Sequence, residues 1–178
     1  MIHNELFGGV FKIDLDYHYD ERGFFSEIFK ENTINDLDLK FVQDNVSFSK
    51  DENTIRGLHF QDSPFDQTKF VVVLSGLIWD VFVDIRRDSK TYMKIGFTEL
   101  KEGGSGLLIP KGFAHGFITL RPNTLVLYKV DNYYSKPHEK GIRWNDKVLN
   151  IPWPKLSDDI IISEKDQKLP DVSSLNNE

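Results

Sequence analysis

Side chains alternate in character along the stretch Ile78-Trp79-Asp80-Val81-Phe82-Val83-Asp84-Ile85. Every second residue from Trp79 onward is apolar, whereas the residues between them combine one aromatic ring with two carboxylates: Asp80, Phe82 and Asp84. Because the side chains of a strand point alternately to its two faces, this pattern predicts a β-strand rather than a helix. One face of the strand is therefore apolar, and the other is mixed aromatic and acidic.

Short β-like runs, separated by Gly, Asn, Asp and Pro, also occur on both sides of this stretch. With Ile78–Ile85 itself, the predicted strands are Gly9–Leu15, Gly23–Phe29, Phe41–Ser49, Thr54–Phe60, Lys69–Leu74, Lys94–Leu100, Gly106–Ile109, Ala114–Leu120 and Thr124–Asp131. Regular spacing of this kind predicts an all-β protein built as an antiparallel sandwich or barrel.

The rest of the chain carries weaker patterns. A short helix is predicted around Glu31–Leu37, and the Pro-rich segment Tyr133–Lys165 predicts ordered loops and short helices that cover the sandwich. The last residues, Asp171–Glu178, have the composition of a flexible, solvated tail. Because domains typically run to about 100–200 residues, we expect residues 1–178 to form a single domain.

Composition and charge exclude several classes of protein. The chain is 39% hydrophobic and 13% aromatic, which suffices to fill a core. The absence of cysteine excludes a disulfide framework, a zinc finger, an iron–sulfur site and a cysteine nucleophile. A net charge of −6 argues against a nucleic-acid partner, because such binding depends on basic clusters. With neither a secretory signal nor an apolar run of membrane-spanning length, we expect a cytoplasmic protein with no membrane partner.

The segment Ile109–His115 has the spacing Pro-x-Gly-x-x-His, which resembles the second of the two cupin motifs. In metal-binding cupins this histidine is a ligand. The first motif would need His-x-His followed by Glu, and the upstream candidate, His59-Phe60-Gln61, supplies one histidine and a glutamine. Because a divalent metal normally needs at least three strong protein ligands, we predict no metal here. A satisfied core histidine is the alternative interpretation of His115.

The segment Arg56–Gln61 places a cation close to an imidazole, the side chain best suited to abstract a proton near neutral pH. In a regular strand Arg56 and His59 would face opposite ways, so both reach one pocket only if Gly57 supports a bulge or bend. Two further residues stay open at this point. Lys69 either extends to solvent or stabilises an oxyanion, and Tyr128 is either a core phenol or a proton donor.

Taken together, these segments resemble one family, the dTDP-4-dehydrorhamnose 3,5-epimerases, from about Gly9 to Asp166. Departures are mild, such as Phe60 where the family usually has Tyr, and Lys111 where it more often has Pro or an acidic residue. The segments that carry the resemblance are Asp20–Phe25, Phe41–Asn45, Arg56–His59, Asp80–Arg86, Ile109–Phe117, Leu127–Lys129, Tyr133–Ser135, His138–Trp144, Ile151–Pro154 and Ser163–Asp166.

The resemblance implies a cupin-type jelly-roll β-sandwich with short peripheral helices, needing neither a metal nor another cofactor. Its substrate would be a dTDP-linked 4-keto-6-deoxyhexose, whose protons on carbons 3 and 5 are acidified by the neighbouring ketone. In the family the residue matching His59 is the base, oriented by the residue matching Asp166, and the residue matching Tyr128 donates a proton on the opposite face. Lys69, with Arg56 and His115, would stabilise the enolate and the sugar oxygens.

The resemblance also implies a nucleotide site and a homodimer with residues exchanged across the interface. The residues that match nucleotide-binding positions of the family are Arg22, Glu27, Gln43, Asn45, Arg56, Tyr134, Glu139 and Lys165. Two alternatives to a 3,5-epimerase remain at this stage. One is a related enzyme that inverts carbon 3 or carbon 5 alone or uses another nucleotide, and the other is a noncatalytic cupin that binds sugar nucleotides.

Overall fold

The computed structural model describes residues 3–31, 39–154 and 159–177. Strands dominate these ranges, with one short α-helix, α1, at Glu164–Gln167, and 3-10 turns at Lys136–His138 and Val172–Asn177. The strands are β1 His3–Phe7, β2 Val10–Ile13, β3 Tyr17–Asp20, β4 Gly23–Ser26, β5 Gln43–Ser49, β6 Thr54–Gln61, β7 Lys69–Ser75, β8 Leu77–Asp84, β9 Ile95–Lys101, β10 Gly106–Ile109, β11 Phe113–Thr119, β12 Thr124–Val130, β13 Glu139–Gly141 and β14 Ile161–Ile162.

Two large sheets face each other, and they form the predicted jelly-roll sandwich. The first has the order β1-β2-β10-β7-β12-β5, and the second has the order β13-β6-β11-β8-β9, with β14 added alongside β6. Pairing within them is antiparallel apart from the parallel pair of β14 with β6. A separate hairpin, β3–β4, stands outside both sheets. The all-β prediction is confirmed.

The core explains why strand β8 alternates as it does. Phe82 is fully buried between the two sheets, where it packs in one cluster with Val71 and Val126 of the opposite sheet. Val81 and Val83 point the other way, into a second cluster that Ile142 and other residues of the C-terminal third cover. Both faces of β8 are therefore buried. This explains why most of its residues are apolar and why its two acids, Asp80 and Asp84, are buried as well.

A bulge in β6 resolves the difficulty raised by the spacing of Arg56 and His59. In the pairing of β6 with β11, His59 lies opposite His115 and Arg56 opposite Phe117, so two residues of β6 face one of β11. Gly57 has a φ of +113°, which favours glycine, and a Cβ there would lie 2.7 Å from the Cα of Gly116. The bulge shifts the phase of the strand, so that both side chains line the same cavity.

The structure corrects two details of the sequence predictions. Residues from Asp171 onward are not a solvated tail in their described part, because Val172 is 3% exposed and its amide donates to Asp146. Strands β1, β3, β13 and β14 were not predicted. The helix predicted around Glu31–Leu37 lies almost wholly outside the described residues. None of the helices in the described ranges is long and apolar enough to cross a membrane.

Candidate active site

A cavity of about 530 Å³ opens between the two sheets, and we call it the front cavity. Each sheet contributes one wall, and helix α1 closes one side. The first sheet supplies Val46, Ser47, Phe48, Lys69, Val71, Val126 and Tyr128; the second sheet and α1, with its flanking residue, supply Arg56, His59, His115, Gly116, Phe117, Glu139, Ser163, Lys165 and Asp166. Most of the predicted site residues therefore meet in one place.

His59 and Asp166 form a hydrogen-bonded pair in the wall of this cavity. His59 Nε2 lies 3.1 Å from Asp166 Oδ1, and Asp166 is 5% exposed. Burial alone would raise the pKa of Asp166, but hydrogen bonds from His59 and from the Gly57 amide lower it below its usual value. An ionised carboxylate on Nε2 holds a proton there, which leaves the lone pair on Nδ1. Nδ1 has no hydrogen-bond partner among the described residues.

Helix α1 positions the carboxylate of this pair. Ser163 caps the helix, and its hydroxyl accepts a hydrogen bond from the Asp166 amide over 3.1 Å. The other carboxylate oxygen, Asp166 Oδ2, accepts from the Gly57 amide over 3.0 Å. The bulge in β6 thus does two things: it turns His59 into the cavity and it anchors the carboxylate that orients the imidazole.

A second imidazole–carboxylate pair lies on the neighbouring strands. His115 Nε2 lies 2.8 Å from Asp80 Oδ2, and Asp80 is fully buried. Burial raises the pKa of Asp80, while His115 and Lys69 oppose that rise. Lys69 is close by: its Nζ donates to the backbone carbonyl of His59 over 3.1 Å, and burial lowers the pKa of its ammonium to about 8. These groups form a buried corner of the cavity, in which the Lys69 ammonium supplies a positive charge.

Tyr128 lies on the opposite wall from His59. It belongs to the middle of β12, between Val71 of β7 and Asn45 of β5, whereas His59 belongs to the other sheet. Burial raises the pKa of the Tyr128 phenol, so the hydroxyl keeps its proton at neutral pH. A ligand held between the sheets would therefore have an imidazole on one side and a neutral phenol on the other.

Polar side chains surround the mouth of the cavity. Tyr134 donates to Glu139 Oε2 over 2.8 Å, and Lys165 donates to the other oxygen of that carboxylate. Burial would raise the pKa of Glu139, but the bonds from Lys165 and Tyr134 lower it overall. Gln43 links this group to the first sheet, because its Oε1 accepts from the Tyr134 amide and its Nε2 donates to Asn45.

Arg56 is held by its neighbours in an orientation that leaves it exposed. Its Nε donates to Ser49 Oγ over 3.1 Å, and its Nη2 donates to the carbonyl of Phe48 over 2.8 Å. A guanidinium fixed in this way beside a cavity can bind a pyrophosphate with little loss of side-chain freedom.

Five predicted nucleotide-binding residues do not line the front cavity within this chain: Arg22, Glu27, Gln43, Asn45 and Tyr134. Arg22 lies at the tip of the β3–β4 hairpin, where it pairs with Asp20, and Glu27 pairs with Lys30. Both pairs are largely exposed. The structure of one chain thus brings most of the predicted site together and leaves Arg22 and Glu27 in exposed surface pairs.

Sequence reasoning missed Asp80 and Ser163 as parts of the site. The signal for Asp80 was present, because an acid on the same strand face as the core residue Phe82 needs a buried partner. Ser163 also had a signal, since a serine three residues before an acid is typical of a helix N-terminus. The apolar lining residues, such as Val46 and Phe48, had none.

No group of three or more His, Cys, Asp or Glu side chains within residues 3–31, 39–154 and 159–177 is arranged to hold a metal ion. His59 and His115 each have one nitrogen engaged with a carboxylate. That the enzyme needs neither a metal nor another cofactor stays a prediction, which removal of metal can test.

The fold and the site define the chain as a jelly-roll enzyme whose imidazole and phenol face each other across a cavity with cationic groups. A protein-family model described as dTDP-4-dehydrorhamnose 3,5-epimerase matches residues 5–174. A dTDP-4-dehydrorhamnose 3,5-epimerase of Sinorhizobium fredii is 45% identical over 159 residues, which are 88% of this chain and 81% of that relative. The chain belongs to the dTDP-4-dehydrorhamnose 3,5-epimerase family.

Solved structures agree in fold over nearly the whole length. The crystal structure of a dTDP-4-dehydrorhamnose 3,5-epimerase from Bacillus anthracis, with TDP and PPi bound, has a TM-score of 0.88 at 45% identity and covers 96% of this chain and 100% of that one. A dTDP-6-deoxy-D-glucose-3,5-epimerase from Legionella pneumophila, in complex with dTDP-4-keto-L-rhamnose, has a TM-score of 0.89 at 37% identity and covers 97% and 91%. The predictions of family, fold class and enzyme class are confirmed.

Proposed function

We propose that this enzyme inverts carbons 3 and 5 of dTDP-4-dehydro-6-deoxy-D-glucose and so forms dTDP-4-dehydro-L-rhamnose. The observation that carries the mechanism is the placement of His59 and Tyr128 on opposite walls of the front cavity, one from each sheet. Inversion of a carbon requires that a proton leave from one face and that another arrive on the other face. Two groups on opposite walls meet that requirement.

His59 is the base of the proposed mechanism. The C–H bond next to the ketone breaks, its electron pair moves into an enolate, and the proton passes to the imidazole. Asp166 stabilises the resulting imidazolium, because its buried carboxylate already bonds the other ring nitrogen. General-base catalysis of this kind typically contributes a factor of ~10²–10⁴.

Lys69 and His115 stabilise the enolate in this account. Both line the front cavity next to His59. A positive charge fixed in a buried corner interacts more strongly with a developing oxyanion than it would in water. Tyr128 then donates its proton to the carbon from the opposite face, which completes the inversion.

The nucleotide binds at the mouth of the cavity in this account. Arg56 and Lys165 are the cations of that region, and they suit the pyrophosphate. Lys165 is bonded to Glu139 in the absence of nucleotide, so it would exchange that carboxylate for a phosphate oxygen. Tyr134, which is 52% exposed, offers a ring on which the thymine can stack.

We infer that two copies of the chain complete the site as a homodimer. Strand β5 lies at the edge of the first sheet, and it exposes the apolar side chains of Val46 and Phe48, which are 62% and 55% exposed. An apolar edge strand of this kind is a surface for a second copy. Arg22 and Glu27, which lie away from the front cavity of their own chain, would then reach the partner's cavity. The cytoplasmic location also stays a prediction.

Incubation of the enzyme with dTDP-4-dehydro-6-deoxy-D-glucose in deuterated water tests the proposed function. The proposal predicts deuterium at both carbon 3 and carbon 5, with the configuration inverted at both, as read by NMR. Label and inversion at one carbon alone would identify a mono-epimerase. The absence of label with intact binding of dTDP would identify a noncatalytic binding protein.

A further inference from the structure

Gln61 is a buried glutamine at the end of β6, and the proposed reaction gives it no role. It follows His59 by two residues and stands where the first cupin motif has its second histidine. The residue is 8% exposed, so the polar atoms of its side-chain amide need partners inside the protein. The partners that this amide finds lie in two loops and not in a neighbouring strand.

The side-chain amide of Gln61 bonds three backbone groups at once. Its Nε2 donates to the carbonyl of Phe65 over 2.7 Å and to the carbonyl of Tyr133 over 3.3 Å. Its Oε1 accepts from the backbone amide of Ser135 over 2.7 Å. A single side chain thus holds the residues on both sides of Tyr134.

Tyr134 itself is held by two further side chains. Its backbone amide donates to Gln43 Oε1 over 3.1 Å, and its hydroxyl donates to Glu139 Oε2 over 2.8 Å. Glu139 in turn lies opposite Gln61 in the pairing of β13 with β6. Residues 131–135 belong to no strand or helix, so the hydrogen bonds of a sheet do not fix them. The side chains of the neighbouring strands satisfy these backbone groups instead.

We propose that Gln61 is a positioning residue for the nucleotide, which fixes the backbone on both sides of Tyr134 and so holds the ring ready for the thymine; this inference rests on the proposed function. Tyr134 is 52% exposed, so packing restrains its ring little. A ring that is already held in its binding orientation loses less conformational entropy when a base stacks on it. The strand that carries His59 thereby also organises the nucleotide site.

A double-mutant cycle of Gln61 with Tyr134 tests this role. Gln61→Met keeps the length of the side chain and removes all three hydrogen bonds, whereas Tyr134→Ala removes the ring. Calorimetry measures the Kd of dTDP for wild type, for each single variant and for the double variant. Inorganic pyrophosphate is the second probe, because it can use Arg56 and Lys165 in our account but has no base to stack.

The cycle should show that Gln61 acts through the ring of Tyr134. We expect Tyr134→Ala to raise the Kd of dTDP about tenfold and Gln61→Met to raise it about fivefold. In the Tyr134→Ala background, Gln61→Met should change that Kd by less than about twofold, because the ring that it positions is gone. The Kd of pyrophosphate should stay at the wild-type value in every variant. In turnover, Gln61→Met should raise KM and leave kcat nearly unchanged.

Gln67→Met is the matched control for the loss of a side-chain amide. Gln67 Nε2 also donates to a backbone carbonyl of residues 131–135, that of Asn132, over 2.8 Å. Its bond does not reach the residues on either side of Tyr134. Gln67→Met should therefore bind dTDP as wild type does.

Wild-type affinity for dTDP in either single variant of the cycle would overturn the inference. Additive losses in the double variant would also overturn it, because Gln61 would then act on the nucleotide by another route. An equal loss in Gln67→Met, or a loss of pyrophosphate binding as large as that of dTDP, would overturn it too, since a general loosening of the loop would explain both.

A second substitution at Gln61 keeps the test decisive if Gln61→Met does not fold. Gln61→Glu retains an acceptor for the Ser135 amide but loses both donors, and it then takes the place of Gln61→Met in the cycle. Failure of the proposed function is distinguishable from failure of this inference. Binding of dTDP is measured without turnover, whereas a failure of the proposed function would appear as a wild-type enzyme that inverts neither carbon.

Discussion

His59 and His115 lie directly opposite each other in the antiparallel pairing of β6 with β11, and each imidazole is bonded through Nε2 to a different buried carboxylate. The two carboxylates come from distant parts of the chain, Asp166 from helix α1 and Asp80 from β8. Each imidazole therefore has its own partner, and the two can carry different roles. In our account His59 moves protons, and His115 helps to polarise the ketone.

Replacement of His59 by alanine should remove catalysis and leave nucleotide binding nearly unchanged. The reason is that the proposed nucleotide contacts, on Arg56 and Lys165, lie at the mouth of the cavity. We expect solvent exchange at carbons 3 and 5 to fall by ~10²–10⁴. Exchange is measured by NMR in deuterated water, and binding of dTDP by calorimetry. Exchange above about a tenth of the wild-type rate would show that another base operates.

The pH profile should report the protonation of Lys69. Burial lowers the pKa of its ammonium to about 8, and the ammonium is charged below that value. We therefore expect kcat/KM to fall as the pH rises through about 8, because the enolate loses a positive neighbour. In Lys69→Arg the guanidinium stays charged, so this alkaline fall should disappear, although the rate itself drops. An unchanged alkaline fall in Lys69→Arg would assign it to another group.

Removal of metal should leave the enzyme active. His59 and His115 lack the companion ligands that a tight divalent site needs. We expect the same kcat before and after treatment with EDTA followed by gel filtration. Elemental analysis of the purified protein is the companion measurement. A metal present at one equivalent per chain, together with activity that is lost with it and restored by its return, would contradict this prediction.

Gly57→Ala should destabilise the protein by more than the strain of its positive φ alone explains. The φ of Gly57 is +113°, and the new Cβ would lie 2.7 Å from the Gly116 Cα and 2.8 Å from the His115 carbonyl oxygen. We expect the free energy of unfolding to fall by about 3 kcal/mol or more. Gly23→Ala is the control, because Gly23 has a φ of +133° but open space around its Cβ position. Equal losses in urea denaturation would show that the close approach of β6 and β11 does not matter.

Much of the fold could be predicted from alternation and turn residues. Strand β10 runs over Gly106–Ile109 as predicted, and β8 runs over Leu77–Asp84, one residue from the predicted Ile78–Ile85. Strands β13 and β14 were not predicted, because three and two residues are too few to show an alternating pattern. The burial of Val172 was not predicted for another reason. A single apolar residue among polar ones does not reveal that the chain returns to cover the outer face of the second sheet.

Residue types alone left the roles of Lys69 and Tyr128 open, and the resemblance to a family was needed to predict the candidate site. Nothing local connects His59 with Asp166, since their contact depends on β14 pairing with β6 and bringing α1 alongside. The bulge at Gly57 was recognised as a requirement, and the pairing with β11 shows it. In our account the role of Arg22 and Glu27 depends on a second copy of the chain, which no pattern within one chain reveals.

Tyr128→Phe tests the division of roles between the two walls most directly. The change deletes one hydroxyl from a half-buried strand residue, so the fold should lose little stability. His59 can still remove a proton and return it to the same face. We therefore predict that the variant exchanges substrate hydrogen with deuterated solvent while inversion at carbons 3 and 5 is lost or strongly slowed, as measured by NMR in one experiment. If exchange and inversion fall together, or if neither falls, Tyr128 is not the acid of the opposite face.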